Sequence, residues 1–355
     1  MRVLFITRKY PPQVGGMENL SYHITTGVNC DKKIIALKKP NIHLIWFVPY
    51  ALLYTLFTLH RWDVIHLGDP VLSIIGYTAK LFSPRKPVAV TVHGLDVTFE
   101  NSIYQKYLDW FGKRFDSYIC ISRYSREMAQ AIGISRTTII PVGIDVEKFE
   151  GVKADKKTFH QKYNIPEDHQ VMITVGRLVR RKGVLWFVEN VLPKLKDKKA
   201  TYLIIGDGPD KDAINKAIRE KGLAGKARLL GRVPDDELKY IYVNADMFIM
   251  PNIPIQGDME GFGIVAIEAS LAGLVLIASD LEGIQDAVTD GVNGILIPPG
   301  DAGKYIETIE DVLEDYPKYI TFKDKAKEYT RATYSWDKIC NSYLDEFKRL
   351  SEVVR

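Results

Sequence analysis

The chain has 355 residues, 46% of them apolar and 26% charged, a length that exceeds one ordinary core and suits two α/β domains of a globular protein. A net charge of +4 carries no global signal for nucleic acid. Cys30, Cys120 and Cys340 are the three cysteines; an odd, scattered set without metal-ligand spacing predicts a reducing, cytoplasmic setting.

Taken in chain order, short β-rich runs alternate with longer helical stretches. Strands are predicted at Val3–Thr7, Ile34–Leu37, Asp63–Leu67, Val88–Val92, Ser117–Ile121 and Thr138–Pro141. The first run is too short for a secretory signal and meets charge and Pro11-Pro12 at once. The longest apolar run, Leu44–Leu59, has no charged residue, contains Pro49 and falls short of the ~20 residues that span a bilayer. Its apolar residues exceed the single stripe needed to cover a sheet. Trp46, Tyr50 and Tyr54, with Lys32, Lys33, Lys38 and Lys39 upstream and Arg61 downstream, suit a peripheral contact with a membrane surface. A helix buried between the sheet and another helix explains the same composition.

The second half repeats the rhythm, with strands at Val171–Val175, Tyr202–Ile205, Ala227–Leu229, Met247–Met250, Val275–Ala278 and Gly294–Ile297. Continuous apolar runs imply strands buried on both faces, hence parallel sheets of the doubly wound, Rossmann-like kind. The polar stretch between Phe149 and Asp168 marks the boundary. Residues 1–155 then form the first domain and 156–334 the second. The tail from Ala326 reads as helix, and its last part, 335–355, is expected to rejoin the first domain.

Several loops carry candidate chemistry. Gly15-Gly16 precedes a helix and allows close backbone approach to a ligand. The G-x-G-x-x-G of a dinucleotide site is absent there, which argues against an NAD-dependent dehydrogenase. His93 follows a buried strand, on the functional edge of a parallel sheet, although a satisfied loop histidine explains it equally. Arg177 at a strand end and Lys182 at the start of the next helix are two cations suited to a diphosphate; a basic surface loop is the competing reading. Gly206-Asp207-Gly208-Pro209 alone is a tight turn. Glu260 precedes a helix expected to begin near Phe262, whose first amides form an anion site, while Glu268 lies further along it where ribose hydroxyls could be bound. Glu260 could instead simply cap that helix.

Together these segments resemble glycosyltransferase family 4, also called glycosyl transferases group 1. The resemblance runs from Pro11-Pro12 to Pro299-Gly300-Asp301 and includes Gly15-Gly16-x-Glu18, His93-Gly-x-Asp96, Pro141-Val-Gly-Ile-Asp145 with Phe149, Gly176-Arg177-Leu with Lys182-Gly183, Gly206-Asp-Gly-Pro209, and Glu260 with Glu268. It implies the GT-B fold, two Rossmann-like domains facing a cleft. It also implies a retaining transfer of sugar from a nucleotide-diphosphate donor to a glycan, lipid-linked or small-molecule hydroxyl acceptor. Gly15 and Gly16 would approach the donor phosphate and His93 the donor sugar. Arg177 and Lys182 would hold the diphosphate, and Glu260 the sugar hydroxyls. The amides from Phe262 through Gly263 and Ile264 to Val265 would assist. Glu268 would bind ribose and the backbone near Val233 the base. The nearest acidic pair, Asp235-Asp236, sits at an expected loop-to-helix start and lacks a partner cluster, so no cofactor or metal is expected. Departures occur where the family often has paired glycines, at Glu282-Gly283, and Pro-Glu, at Gln285-Asp286; Gly68 stands where a second His is common. A sugar-nucleotide epimerase of the same fold and a non-catalytic nucleotide-binding module are the competing functions.

Overall fold

The computed structural model describes residues 1–13 and 15–352. They form two compact units, one running to Gly143 and resuming at Tyr334, the other Ile144–Thr333.

The first unit is a six-stranded sheet in the order β2-β1-β3-β4-β5-β6. Its strands are β1 (Arg2–Thr7), β2 (Asp31–Ala36), β3 (Val64–Leu67), β4 (Val88–Val92), β5 (Ser117–Cys120) and β6 (Thr137–Ile139), all parallel. β3, β4 and β5 are buried throughout, because helices cover both faces and leave no polar side. Strand β2 begins three residues before the predicted Ile34. It is an edge strand that exposes alternate residues, so Lys32 and Lys33 are tolerated within it.

The tail is not one helix. Tyr316–Tyr334 and Trp336–Glu352 are separate helices that break at Ser335. Trp336 stacks on His23 at 4.3 Å between ring centroids. It also lies against Gly143, where a Cβ would run into its ring, and this directs the chain onto the first sheet. From the last helix, Phe347 meets Phe5 at 5.9 Å and Tyr343 meets His66 at 5.8 Å, both side chains fully buried.

The second unit has the order β12-β11-β10-β7-β8-β9, with β7 (Gln170–Val175), β8 (Ala200–Ile205), β9 (Ala227–Gly231), β10 (Met247–Met250), β11 (Val275–Ser279) and β12 (Ile295–Ile297) again parallel. Residues 144–155 belong here, earlier than the expected division near 155. Phe149 packs on Tyr242 at 5.4 Å and the Asp155 amide donates to Asn244 at 2.7 Å. In each sheet the strand order reverses once, between β1 and β3 and between β7 and β10. Such switch points open a crevice at the carboxyl ends of the strands.

The apolar run 44–59 forms the helix Leu44–Thr58, and turns on either side extend the helical stretch to Asn41–Arg61. It is 21 residues long, and the most apolar 18 of them have a mean hydropathy of 1.7, enough to cross a membrane by length and composition, so the run is longer as a helix than its sequence implied. It is not enclosed between sheet and helix either. Only Phe47, Ala51 and Thr55 of the helix Leu44–Thr58 are buried.

Candidate active site

In the second unit the candidate residues gather where β7 and β10 part. Arg177 follows β7 by two residues and is exposed; among the described residues no carboxylate pairs with it. Lys182 lies in a tight turn, Arg180–Lys182, and not at the start of the next helix, which begins at Val184. Gly183 makes this possible. Its φ is +65°, and a Cβ there would fall 1.8 Å from the Pro251 carbonyl oxygen, so only glycine lets the turn press against the end of β10. A Cβ at Gly176 would stand 3.8 Å from Lys182 Cε, which places the lysine stem beside the residue preceding Arg177.

Glu260 is buried and pairs with the Lys182 ammonium. Asn252 Nδ2 donates to the same carboxylate oxygen at 3.2 Å, and Arg181 Nε lies 3.9 Å from it. Arg181 also reaches Asp258 at 3.3 Å. Burial pushes the Glu260 carboxyl up, but Lys182 and Arg181 together outweigh it and hold the group below its ordinary 4.5. The reading of Glu260 as a cap fails: the helix Ile264–Ala272 is capped by Gly263 in a left-handed conformation, without a side-chain bond. Phe262 is buried, and Ile264 and Val265 contribute first-turn amides with no intrahelical acceptor.

Glu268 stands one turn into that helix. Lys148 pairs with it and the Tyr242 hydroxyl donates to it at 3.3 Å. Burial and then the Glu268 charge raise the Tyr242 phenol. Val233 follows β9, whose last residue, Gly231, accepts the Gly206 amide at 2.8 Å; the half-buried Val233 therefore lies at the same sheet edge. Glu282 accepts the Glu260 amide and has φ +50°. This is the left-handed region that favours glycine, and it accounts for the glycine common in the resembled family. Burial and then the charge of Glu260 raise the Glu282 carboxyl.

In the first unit Gly15 and Gly16 open the helix Gly16–Gly27, and both are exposed. Glu18, on that helix, is buried and pairs with Lys9 at 3.3 Å. His93 is half-buried after β4. Its amide donates to Asp96 and its Nε2–H to the Gly68 carbonyl at 3.0 Å, leaving Nδ1 as an acceptor. Burial pushes Asp96 up against the opposing pull of His93. Burial and then His93 drive His66 down to about 3.

Sequence reasoning missed Lys148, Asn252 and Glu282. Asn252 was accessible, two residues past a buried strand on the functional edge; nothing local marks Lys148, which lies 120 positions from its partner.

Two parallel sheets, each carrying its candidate residues at the carboxyl edge, define a GT-B glycosyltransferase. The chain belongs to glycosyltransferase family 4: the family model for Glycosyltransferase Family 4 matches residues 1–148 and that for Glycosyl transferases group 1 matches 155–329. An uncharacterized glycosyltransferase of Methanocaldococcus jannaschii is 23% identical over the whole of both chains. A GDP-mannose-dependent alpha-(1-6)-phosphatidylinositol monomannoside mannosyltransferase of Mycobacterium tuberculosis is 27% identical, over 80% of this chain and 74% of that protein. The crystal structure of Anabaena HepE in complex with UDP superposes with a TM-score of 0.79 at 19% identity, covering 98% of this chain and 100% of that one.

Proposed function

We propose that the protein transfers a glycosyl group from a nucleotide-diphosphate sugar to a hydroxyl acceptor, with retention of anomeric configuration and without a metal. The observation that carries this reading is the buried Lys182–Glu260 pair at the β7/β10 switch point, beside Arg177, which has no carboxylate partner among the described residues. A departing nucleoside diphosphate develops negative charge, and fixed cations stabilise it most where water is excluded. Arg177 supplies a planar fork for two phosphate oxygens and Lys182 a point charge. A donor diphosphate competes with Glu260 for Lys182, and the freed carboxylate accepts hydroxyls of the donor sugar.

In the transfer, the bond from the anomeric carbon to the diphosphate oxygen breaks and its electron pair leaves with the diphosphate. The acceptor oxygen bonds to that carbon from the same face, and its proton passes to the departing phosphate. Glu268 and the backbone near Val233 hold the nucleoside, and the Ile264 and Val265 amides the phosphate. Two relatives support a nucleotide-linked donor, through GDP-mannose in one name and bound UDP in another. The free thiols of Cys120 and Cys340 support a cytoplasmic setting.

The test is a thermal-shift screen across nucleotide sugars, followed by product analysis with the stabilising donor. A ligand that binds only the native state raises the midpoint with occupancy. Release of nucleoside diphosphate with an α-to-α linkage by NMR is expected. An isomerised nucleotide sugar formed without acceptor makes the protein an epimerase instead, and binding without turnover makes it a nucleotide-binding module.

A further inference from the structure

Apart from Val292 and Ile320, every exposed large apolar side chain among the described residues belongs to the first unit. Most lie on one layer. The helices Leu44–Thr58, Ser73–Phe82 and Ser102–Phe111 pack in sequence over one face of the sheet; the Tyr107 hydroxyl donates to the Val71 carbonyl at 2.7 Å and Tyr77 meets Phe111 at 5.1 Å. Their outer surface presents Trp46, Leu53, Phe57, Phe82, Ile103 and Trp110, with Trp46 76% and Phe57 78% exposed.

The helix Leu44–Thr58 shows why burial inside the unit does not explain its composition. Phe47, Ala51 and Thr55 recur every fourth residue and are buried, Phe47 and Ala51 in the core of the unit with the half-buried Leu44, Val48, Leu52 and Tyr54 packed beside them. The opposite side, where a helix facing water carries charge, has none between His43 and His60. A helix held to its own sheet along one stripe lies flat against whatever covers its other side and does not cross it.

Charge specifies the cover. Between Asp31 and Asp96 the only acids are Asp63, paired with Arg2, and Asp69, paired with Arg8; on the third helix Asp109 is paired with Lys113. Lys38, Lys39, Arg61 and Arg85 are exposed at the ends of these helices. Two copies meeting through this layer would oppose like charges. An apolar, aromatic face rimmed by cations matches an anionic lipid surface, where aromatics settle at the headgroup level and each cation adds to the attraction.

We propose that this three-helix layer of the first unit docks in the plane of an anionic lipid bilayer. The full-length protein should sediment at low salt with vesicles of equal parts phosphatidylcholine and phosphatidylglycerol, and less as salt rises. Trp46→Ser with Phe57→Ser should weaken binding about tenfold or more, as removal of two inserted aromatics requires, without lowering the thermal midpoint of these surface positions. Lys38→Glu with Lys39→Glu should reduce binding to the anionic vesicles alone. Brominated lipids should quench tryptophan fluorescence, and Trp46→Phe with Trp110→Phe should abolish the quenching. Failure to pellet at low salt, or pelleting indifferent to the serine pair, overturns the proposal. A dimer that the serine pair dissolves, without vesicle binding, assigns the face to a second copy and overturns it equally.

Discussion

Lys182 is the counter-ion of Glu260, and both side chains are nearly enclosed, at 13% and 12% exposure. Removing one partner of a buried pair leaves the other charge unbalanced and costs about 3 kcal/mol or more. Lys182→Ala should therefore lose stability as well as turnover. Adding Glu260→Gln should restore much of the stability and none of the activity. Chemical denaturation of the two single variants and the double variant measures the coupling; additive losses would mean the pair is not a unit.

The same pair sets an acid limb of stability. The Glu260 carboxyl sits below 4.5 in the folded protein, so between the two values the unfolded chain binds more protons. The stability it contributes is complete above 4.5 and is lost as pH falls through the folded value. Glu260→Gln should flatten this part of the denaturation profile, and an unchanged acid limb would contradict the assignment.

Arg177 is exposed and makes no ion pair among the described residues. Arg177→Ala should leave the thermal midpoint unchanged and lower kcat/KM about 10- to 100-fold, the worth of one charge-assisted phosphate contact. Near-normal kcat/KM would remove Arg177 from the leaving-group site. With side chains as the leaving-group cations, activity should also survive excess EDTA; complete loss restored by magnesium or manganese would overturn the metal-free reading.

Glu268 pairs with Lys148 and accepts from Tyr242. Glu268→Gln should chiefly weaken nucleotide affinity, read by calorimetry, with a smaller effect on the turnover of bound donor. Unchanged affinity would exclude the ribose role.

His66 is lowered from 6.5 to about 3, so it stays neutral where an unfolded histidine takes up a proton. Its contribution is complete above 6.5 and declines as pH falls from there to 3. Its imidazole should remain neutral at pH 5 by NMR, and His66→Gln should reduce the pH dependence of stability across that window. A titration near 6.5 would place His66 in water.

The strands were legible in the sequence. Val88–Val92 and Met247–Met250 occur with the predicted bounds, because a continuous apolar run between turn signals has no exposed side to face water and must lie inside a parallel sheet. Arg177, Lys182, Glu260 and Glu268 were legible as chemistry, since charged residues just past buried strands or in the following helix fall on one edge of the sheet. What they touch was not legible. Lys182 and Glu260 are 78 positions apart and Lys148 and Glu268 are 120 apart. Those pairs form only because the strand order reverses between β7 and β10, and because Gly183 lets one turn close on Pro251. The helix Leu44–Thr58 shows the same division. Its composition declared an excess of apolar surface, but an all-apolar helix has no polar face to orient it, so only packing against the sheet decided that Phe47, Ala51 and Thr55 turn inward and Trp46 and Phe57 outward.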